Sequence, residues 1–419
     1  MIPSPYPLER ELGMEYYQSD LPGIGGVLRE TAEDFRVEEI PLPHAGEGKY
    51  LICRLTKKNW ELQRAVKEIA RSLGISHRRI GWAGTKDRRA VTTQEISIYN
   101  LRPDEVDQVR LGDLSLEVVG TAPSGLSLGA LAGNRFTITI RHCEREDLEP
   151  RVKGIISAAR GGFPNYFGLQ RFGSLRPVTH RVGKHLLRQD YEGAVATYIG
   201  FVSSAEPDEA AFARQRFLEE GKVREALRSL PTRLSYERAL LHHLDEKPGD
   251  FKGALATLPP RLLSMFVSAY QSYLFNHMLS RRMERAALDT PIPGDRLIFA
   301  SGRVDVVQEG SLRAARLHHG RGACEIALHV PGMDTPPSGI DEEAGLLMEE
   351  DGIGPEGFRE FSEFAKVRFS GADRAIAIRT AIDPEIEDDA VTFAFTLGPG
   401  QYATTVCREF MKSEPRTMV

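Results

Sequence analysis

A strand near the far end of the chain constrains the fold more than any other feature. Val391-Thr-Phe-Ala-Phe-Thr-Leu397 alternates large apolar residues with small or polar ones, the period-2 pattern of a half-buried strand. One strand is not stable alone in water. The stretch before it, residues 333–356, is rich in Pro, Gly and acid and reads as a solvated loop or short helix. The simplest arrangement is a discontinuous domain: strands from the start of the chain pair with this late strand, and a second domain is inserted between them.

The N-terminal part has strands to offer. Residues 25–56 read as strands, with an extended stretch from Val37 and Tyr50-Leu-Ile-Cys-Arg-Leu-Thr56 following. Asn59 is placed to cap a helix to Leu73, whose apolar positions Leu62, Ala65, Val66, Ile69 and Ala70 share a face; Gly74 stops it. Short strands are expected over 79–83, 93–99, 114–120 and 135–140, and a helix over 147–159. This is an α+β pattern with much antiparallel pairing. From Leu175 to Met283 the period turns helical, most clearly over 191–200, 208–220 and 261–283. Tyr270, Tyr273, Leu274 and Met278 read as a core stripe. Short β segments return over 291–331, a helix is expected over 402–410, and residues after Lys412 are expected to fray.

At 419 residues the chain suits two or three domains, and its apolar content of 41% is enough for real cores. No apolar run is long enough to span a bilayer, and residues 1–20 lack the basic and apolar regions of a signal peptide, so a cytoplasmic location is the default expectation. Cys53, Cys143, Cys324 and Cys407 form no Cys-x-x-Cys and have no histidine at zinc-ligand spacing, so four buried thiols are expected. The adjacent pairs His242-His243 and His318-His319 read as surface or structural. No phosphate loop, dinucleotide turn, His-Glu-x-x-His or seryl elbow occurs. The chemistry is therefore expected to need neither metal nor cofactor. A net charge of −5 argues on its face against a nucleic-acid partner. Yet residues 151–189 hold eight Lys/Arg and no Asp or Glu, and a basic face on an acidic body can still attract a polyanion.

Two segments carry the chemistry. Gly81-Trp-Ala-Gly-Thr-Lys-Asp-Arg-Arg-Ala-Val-Thr-Thr-Gln94 joins a glycine turn to a lone carboxylate, Asp87, flanked by Lys86, Arg88 and Arg89. Alone, such an aspartate reads as an Asx-turn or N-cap residue. Its cationic neighbours favour the ionised carboxylate and attract a phosphate backbone, which suits a nucleophile or general base acting on RNA. Asn165-Tyr-Phe-Gly-Leu-Gln-Arg-Phe-Gly173 is either a turn with packed rings or a platform. As a platform, its aromatic faces would stack a base for about 1–3 kcal/mol, Asn165 would meet a base edge and Arg171 a phosphate. Arg176, Arg181, Lys184 and Arg188 form either a solvated helix face or a phosphate track, and the lack of neighbouring acid in sequence favours the track.

With these residues in view, the chain resembles the TruD family of tRNA pseudouridine synthases, in its archaeal form. Glu33-Asp-Phe35, Ala83-Gly-Thr-Lys-Asp-Arg-Arg-Ala-Val91, Leu128-Gly-Ala-Leu-x-Gly-Asn-x-Phe136, the Asn165–Gly173 block and Pro399-Gly-Gln-Tyr-Ala-Thr-Thr-Val406 match in order. The resemblance implies an α+β catalytic domain with a mixed, largely antiparallel sheet and flanking helices, over 1–174 and 366–419. It implies an inserted family-specific α/β domain over 175–365. Asp87 is implied as the catalytic aspartate. Phe35, Asn165, Phe167 and Tyr402, with Lys86, Gln170 and Arg171, are implied to hold the target nucleotide, and Arg88, Arg89, Arg176, Arg181 and Lys184 to follow the RNA backbone. Tyr402 stands where a Phe is common in bacterial members, and Arg29 where a Lys is expected. The implied activity is isomerisation of a tRNA uridine, position 13 being the family's usual target, after the base is flipped out; no protein partner is implied. A non-catalytic structured-RNA-binding protein or RNA chaperone is the alternative, against which the retention of Asp87 in its full context speaks. A nucleotide hydrolase would need a phosphate loop or metal cluster.

Overall fold

The structure, a computed structural model, describes residues 1–44, 46–354 and 356–418. It divides into two compact units. One comprises residues 21–160 and 378–418, the other 1–20 and 161–377.

The first unit is built on a nine-stranded sheet. Its order is Asp383–Glu387, Ala390–Leu397, Leu131–Cys143, Phe35–Pro41, Val91–Tyr99, Tyr50–Lys58 and Leu114–Ala122, with Gly25–Leu28 and Ile80–Trp82 pairing off this path. Only Phe35–Pro41 and Val91–Tyr99 run parallel among these pairs. The late strand Ala390–Leu397 therefore does find its partner far back in sequence, with Phe393 opposite Ile138 and Phe395 opposite Phe136. The alternation explains the burial: Val391, Phe393, Phe395 and Leu397 face inward on the period of 2. Helix Leu62–Ser72 lays Leu62, Val66 and Ile69 against Leu51, Cys53, Leu55, Ile96 and Ile98. Its cap is not Asn59, which adopts a left-handed φ of 60°. Glu61 caps it instead, accepting from Gln63 N at 2.9 Å and Arg64 N at 2.7 Å. Gly74, at φ 63°, stops it as expected.

The second unit is largely helical. Helices Thr179–Leu187, Tyr191–Gly200, Asp208–Glu220, Ser235–Glu246 and the 26-residue Pro260–Arg285 pack around a core that includes Val182, Leu186, Phe266, Tyr270 and Leu274. A four-stranded antiparallel sheet follows, in the order Val304–Val306, Arg296–Phe299, Cys324–Val330 and Ala372–Ala375. The last of these strands, and the backbone bond from Asn165 N to Ile376 O at 2.9 Å, tie residues 161–174 and 366–377 into this unit. The compact units thus divide at 20/21, 160/161 and 377/378, where 174/175 and 365/366 were the expected boundaries.

The C-terminal tail does not fray over its described residues. Pro415–Met418 forms a 3₁₀ turn with Pro415 and Met418 buried. All four cysteines are buried and free. Among the described residues no helix is long and apolar enough to cross a membrane.

Candidate active site

Asp87 sits on the turn between strands Ile80–Trp82 and Val91–Tyr99, which pair with Gly81 opposite Ser97. Three contacts pin this turn. Gln94 Nε2 donates to Gly84 O at 2.8 Å. Lys86 Nζ meets Glu39 Oε2 at 2.5 Å, with both side chains buried. Lys57 Nζ donates to Asp87 O at 3.0 Å and to Trp60 O at 2.8 Å. Gly84 leaves room for the ion pair, because a Cβ there would lie 2.8 Å from Lys86 Nζ. The Asp87 backbone is thus fixed while its side chain stays 53% exposed. Arg88 and Arg89 beside it are exposed, where a polyanion can reach them. Lys86 departs from expectation: its ammonium is turned inward and taken up by Glu39 rather than presented to a substrate.

Arg29 completes the arrangement. Its Nη2 lies 2.7 Å from Asp87 Oδ2, and its guanidinium carbon lies 4.0 Å from the centroid of the Phe35 ring. It adopts a left-handed φ of 59°, and its Nε is buried with no hydrogen-bond partner. Both features cost stability in a non-glycine residue, and such strain collects at functional sites. Phe35 is buried under this guanidinium and meets Phe136 edge-on at 6.2 Å. The resemblance implies that Phe35 holds the target nucleotide, but its ring lies under Arg29 and is not an open wall. Tyr402 belongs to the same unit, half-buried at the N-cap of helix Ala403–Met411.

Lys57 and Glu39 were not singled out in the sequence, although Lys57 carries a signal. Leu51, Cys53, Leu55 and Lys57 alternate along one strand, so a lysine occupies an inward position. Burial pushes its ammonium down to about 8, with the Asp87 charge opposing that shift. A buried cation held against the backbone of an exposed carboxylate, and a second cation on that carboxylate, fix an anion in position for attack or proton removal.

The Asn165–Gly173 segment lies in the other unit. Asn165 is 2% exposed. Its Nδ2 donates to Ala375 O at 2.8 Å, and its Oδ1 accepts from Arg374 Nη2 at 2.7 Å. The amide expected on a base edge is engaged with the protein itself. Phe167 is half-buried, with the Arg374 guanidinium 3.9 Å from its ring centroid and Phe275 edge-on at 5.6 Å. Arg171 Nε donates to Ser272 Oγ at 3.0 Å, and Gln170 is exposed. Arg374, which no motif marks out, organises both Asn165 and Phe167.

The basic run divides. Arg176 is not a phosphate contact. It points into the helical core, donating to Tyr198 O at 2.6 Å and Phe201 O at 3.1 Å, and shares Glu206 and Glu237 with the buried Arg214. Arg181 pairs with Glu11 and Lys184 with Asp351, so acids distant in sequence balance both. Among the described residues no cluster of three or more His, Cys, Asp or Glu is placed to hold a metal ion.

Known proteins resemble this chain over nearly its whole length. The profile of the family described as tRNA pseudouridine synthase D (TruD) matches residues 11–410. A Methanococcoides burtonii protein named probable tRNA pseudouridine synthase D is 38% identical over 98% of this chain and 98% of its own length. A Thermococcus gammatolerans protein of the same name is 39% identical over 94% of this chain and 96% of its own. The crystal structure of a Methanosarcina mazei protein designated TruD superposes with a TM-score of 0.82 at 35% identity, covering 99% of this chain and all of that one. The chain belongs to the tRNA pseudouridine synthase D (TruD) family.

Proposed function

We propose that this chain isomerises a uridine of tRNA, at position 13, to pseudouridine, with Asp87 as the catalytic carboxylate. The observation that carries this reading is the Asp87 side chain: exposed, ion-paired to Arg29, and set on a backbone that the buried Lys57 anchors. A uridine stacked in folded RNA must leave its stack before a protein carboxylate can reach its ribose. Asp87 then either attacks C1′ or removes a ribose proton to give a glycal. The bond from C1′ to N1 breaks, its electron pair staying on N1, and the uracil turns. C5 then bonds to C1′, displacing the Asp87 ester or, in the glycal route, as Asp87 returns the proton to the ribose, after which C5 loses its proton and N1 takes one up. Arg88 and Arg89 meet phosphates beside the target. Arg29, supported from beneath by Phe35, is the group that faces the nucleotide, with Tyr402 as a further wall. In the other unit, Phe167 with Arg374, and Gln170 and Arg171 beside them, offer a stacking and phosphate-binding surface to the RNA. The unit containing Asp87 is the catalytic domain, and the helical unit contains the inserted family domain.

The test is pseudouridine mapping on a folded tRNA transcript. The wild-type chain should produce pseudouridine at position 13, and Asp87→Asn should yield none while still binding the tRNA. Product formed by Asp87→Asn would remove Asp87 from the mechanism. Product at another position would remove the assigned target.

A further inference from the structure

Two kinds of cation stand on the helical unit. Arg181 and Lys184, in the run that the sequence offers as a phosphate track, are each answered by an acid, Glu11 and Asp351. The opposite case lies beside the four-stranded sheet of the same unit. Helix Leu312–Gly320 packs Ala315 and His319 inward, with His319 Nδ1 donating to Cys324 O at 3.1 Å. Its outer face carries Arg313, Arg316 and, at the C-cap, Arg321, all exposed. At about 100° per residue, Arg313, Arg316, Leu317 and Gly320 fall within one third of the helix circumference, with Arg321 close to its edge. Leu317 between them is 51% exposed, and a Cβ on Gly320 would meet nothing within 4 Å, so the face lies open.

No acid neutralises it. Glu309 is the one carboxylate in residues 308–323. The nearby pairs, Arg303 with Asp305 and Arg296 with Asp373, are closed among themselves, and none of the three arginines is ion-paired among the described residues. Helix stability does not account for these charges. A cation in the last turn suits the helix dipole, which covers Arg321. A cation in the first turn opposes it, and Arg313 is the second residue of the helix. Arg313 and Arg316, three residues apart, also repel each other. Guanidinium groups placed at a cost, with no acid to hold them, call for an anion from outside.

We propose that this face binds the phosphate backbone of the RNA substrate, a docking contact made by the unit that does not carry Asp87. From Arg313 to Arg321 the face runs about 12 Å along the helix, enough to meet more than one phosphate. A guanidinium pairs a phosphate through two parallel N–H bonds, and such contacts hold an RNA in place without reading its bases. This rests on the reading of the chain as a tRNA-modifying enzyme.

The test is fluorescence anisotropy of a labelled, folded tRNA with the full chain over a range of salt. The triple variant Arg313→Gln, Arg316→Gln, Arg321→Gln should bind at least about tenfold more weakly than wild type, and the slope of log affinity against log salt should become shallower by about two to three. Lysine at all three positions should keep most of the affinity. The thermal midpoint of the glutamine variant should hold or rise as the mutual repulsion is relieved. In single turnover the loss should appear in the half-saturating tRNA concentration rather than in the rate at saturation. Affinity and slope unchanged in the glutamine variant, or a wild-type chain that does not bind tRNA, would overturn the surface. A loss that comes with a lowered midpoint and is not recovered by lysine would make these arginines structural. Polyglutamate bound as tightly as tRNA, with the same loss in the glutamine variant, would assign the face to an acidic protein instead. A wild-type chain that shows the arginine dependence yet forms no pseudouridine would sink the isomerase reading and leave the surface standing.

Discussion

Asp87 and Asn165 each stand in a short segment that mixes glycine, aromatic and cationic residues, yet the Asp87 side chain is 53% exposed and Asn165 is 2% exposed. The difference lies in which atoms hold the segment in place. The Asp87 turn is anchored through its backbone: Lys57 takes the Asp87 carbonyl and Gln94 takes that of Gly84. The carboxylate is left for other work. The Asn165 segment is anchored through its side chain, whose amide bonds Ala375 O and Arg374. The arginines divide the same way. Arg88 and Arg89 face outward, while Arg176 closes a buried network with Arg214, Glu206 and Glu237. Outward groups should control rate or RNA affinity with stability intact, and inward groups the reverse.

Asp87→Asn tests this division most severely. It keeps the shape and removes the charge, so pseudouridine formation should fall by about a thousandfold or more. The thermal midpoint should barely move. A variant that lost activity only by melting would place Asp87 among the structural residues. Arg176→Met is the opposite case. It breaks a buried ion network and leaves Glu206 and Glu237 short of a partner, which costs about 3–5 kcal/mol. Denaturant melts should register that loss, while activity per folded molecule and the salt dependence of tRNA binding stay near wild type. A flattened salt slope at full stability would return Arg176 to the RNA path. Arg29→Ala should lower the rate by about a hundredfold through loss of a fixed charge beside the carboxylate, and Arg29→Lys should recover part of it. Equal rates in the lysine and alanine variants would mean that the charge is not the contribution.

The broad fold was legible because periodicity reports burial directly. The pairing of the late strand with Leu131–Cys143 follows from Val391, Phe393 and Phe395 needing a partner sheet, and helix 208–220 was readable to the residue. Side-chain direction in irregular segments was not legible. Nothing in Asn165-Tyr-Phe-Gly says that Ala375 and Arg374 will converge on the amide from more than two hundred positions away. Equally, the acids Glu11 and Asp351 that balance Arg181 and Lys184 are remote in sequence, so a window free of Asp and Glu misrepresents the local charge. The Asp87 turn was legible because its chemistry is contiguous. Its supports come from elsewhere in the chain, Arg29 just past strand Gly25–Leu28 and Lys57 on Tyr50–Lys58; the resemblance pointed at the first and the inward phase of Lys57 at the second, but neither showed that they meet Asp87.

Asn165→Ala sharpens the comparison at the next level of effect. It strands the Ala375 carbonyl and one arm of Arg374, at a cost of about 1–3 kcal/mol. The loss should appear in denaturant melts, with the rate per folded molecule close to wild type. A slowed chemical step at unchanged stability would show that this amide reaches the substrate after all.

The smallest expected effect belongs to Lys57, and it can be read by its sign. In the folded protein its ammonium is pushed down from 10.5 to about 8 by burial. As pH rises through about 8 the folded form loses this proton, whereas the unfolded chain keeps it until about 10.5, the unperturbed lysine value. Below pH 8 both states carry the charge, and the burial penalty is fully present. Between 8 and 10.5 the unfolded state binds more protons, so the Lys57 contribution to stability rises with pH. Activity should move the other way. A neutral amine holds the Asp87 and Trp60 carbonyls less strongly and no longer places a positive charge under the carboxylate. Wild-type turnover should therefore decline through pH 8 while the melting temperature, relative to Lys57→Met, climbs. Lys57→Met itself should be slower by about tenfold below pH 8 and should lack that alkaline decline. The two enzymes, compared on one tRNA from pH 6.5 to 9.5, separate anchoring of the turn from simple packing. Parallel pH profiles in wild type and Lys57→Met would assign the decline to another group and leave Lys57 as a structural residue only.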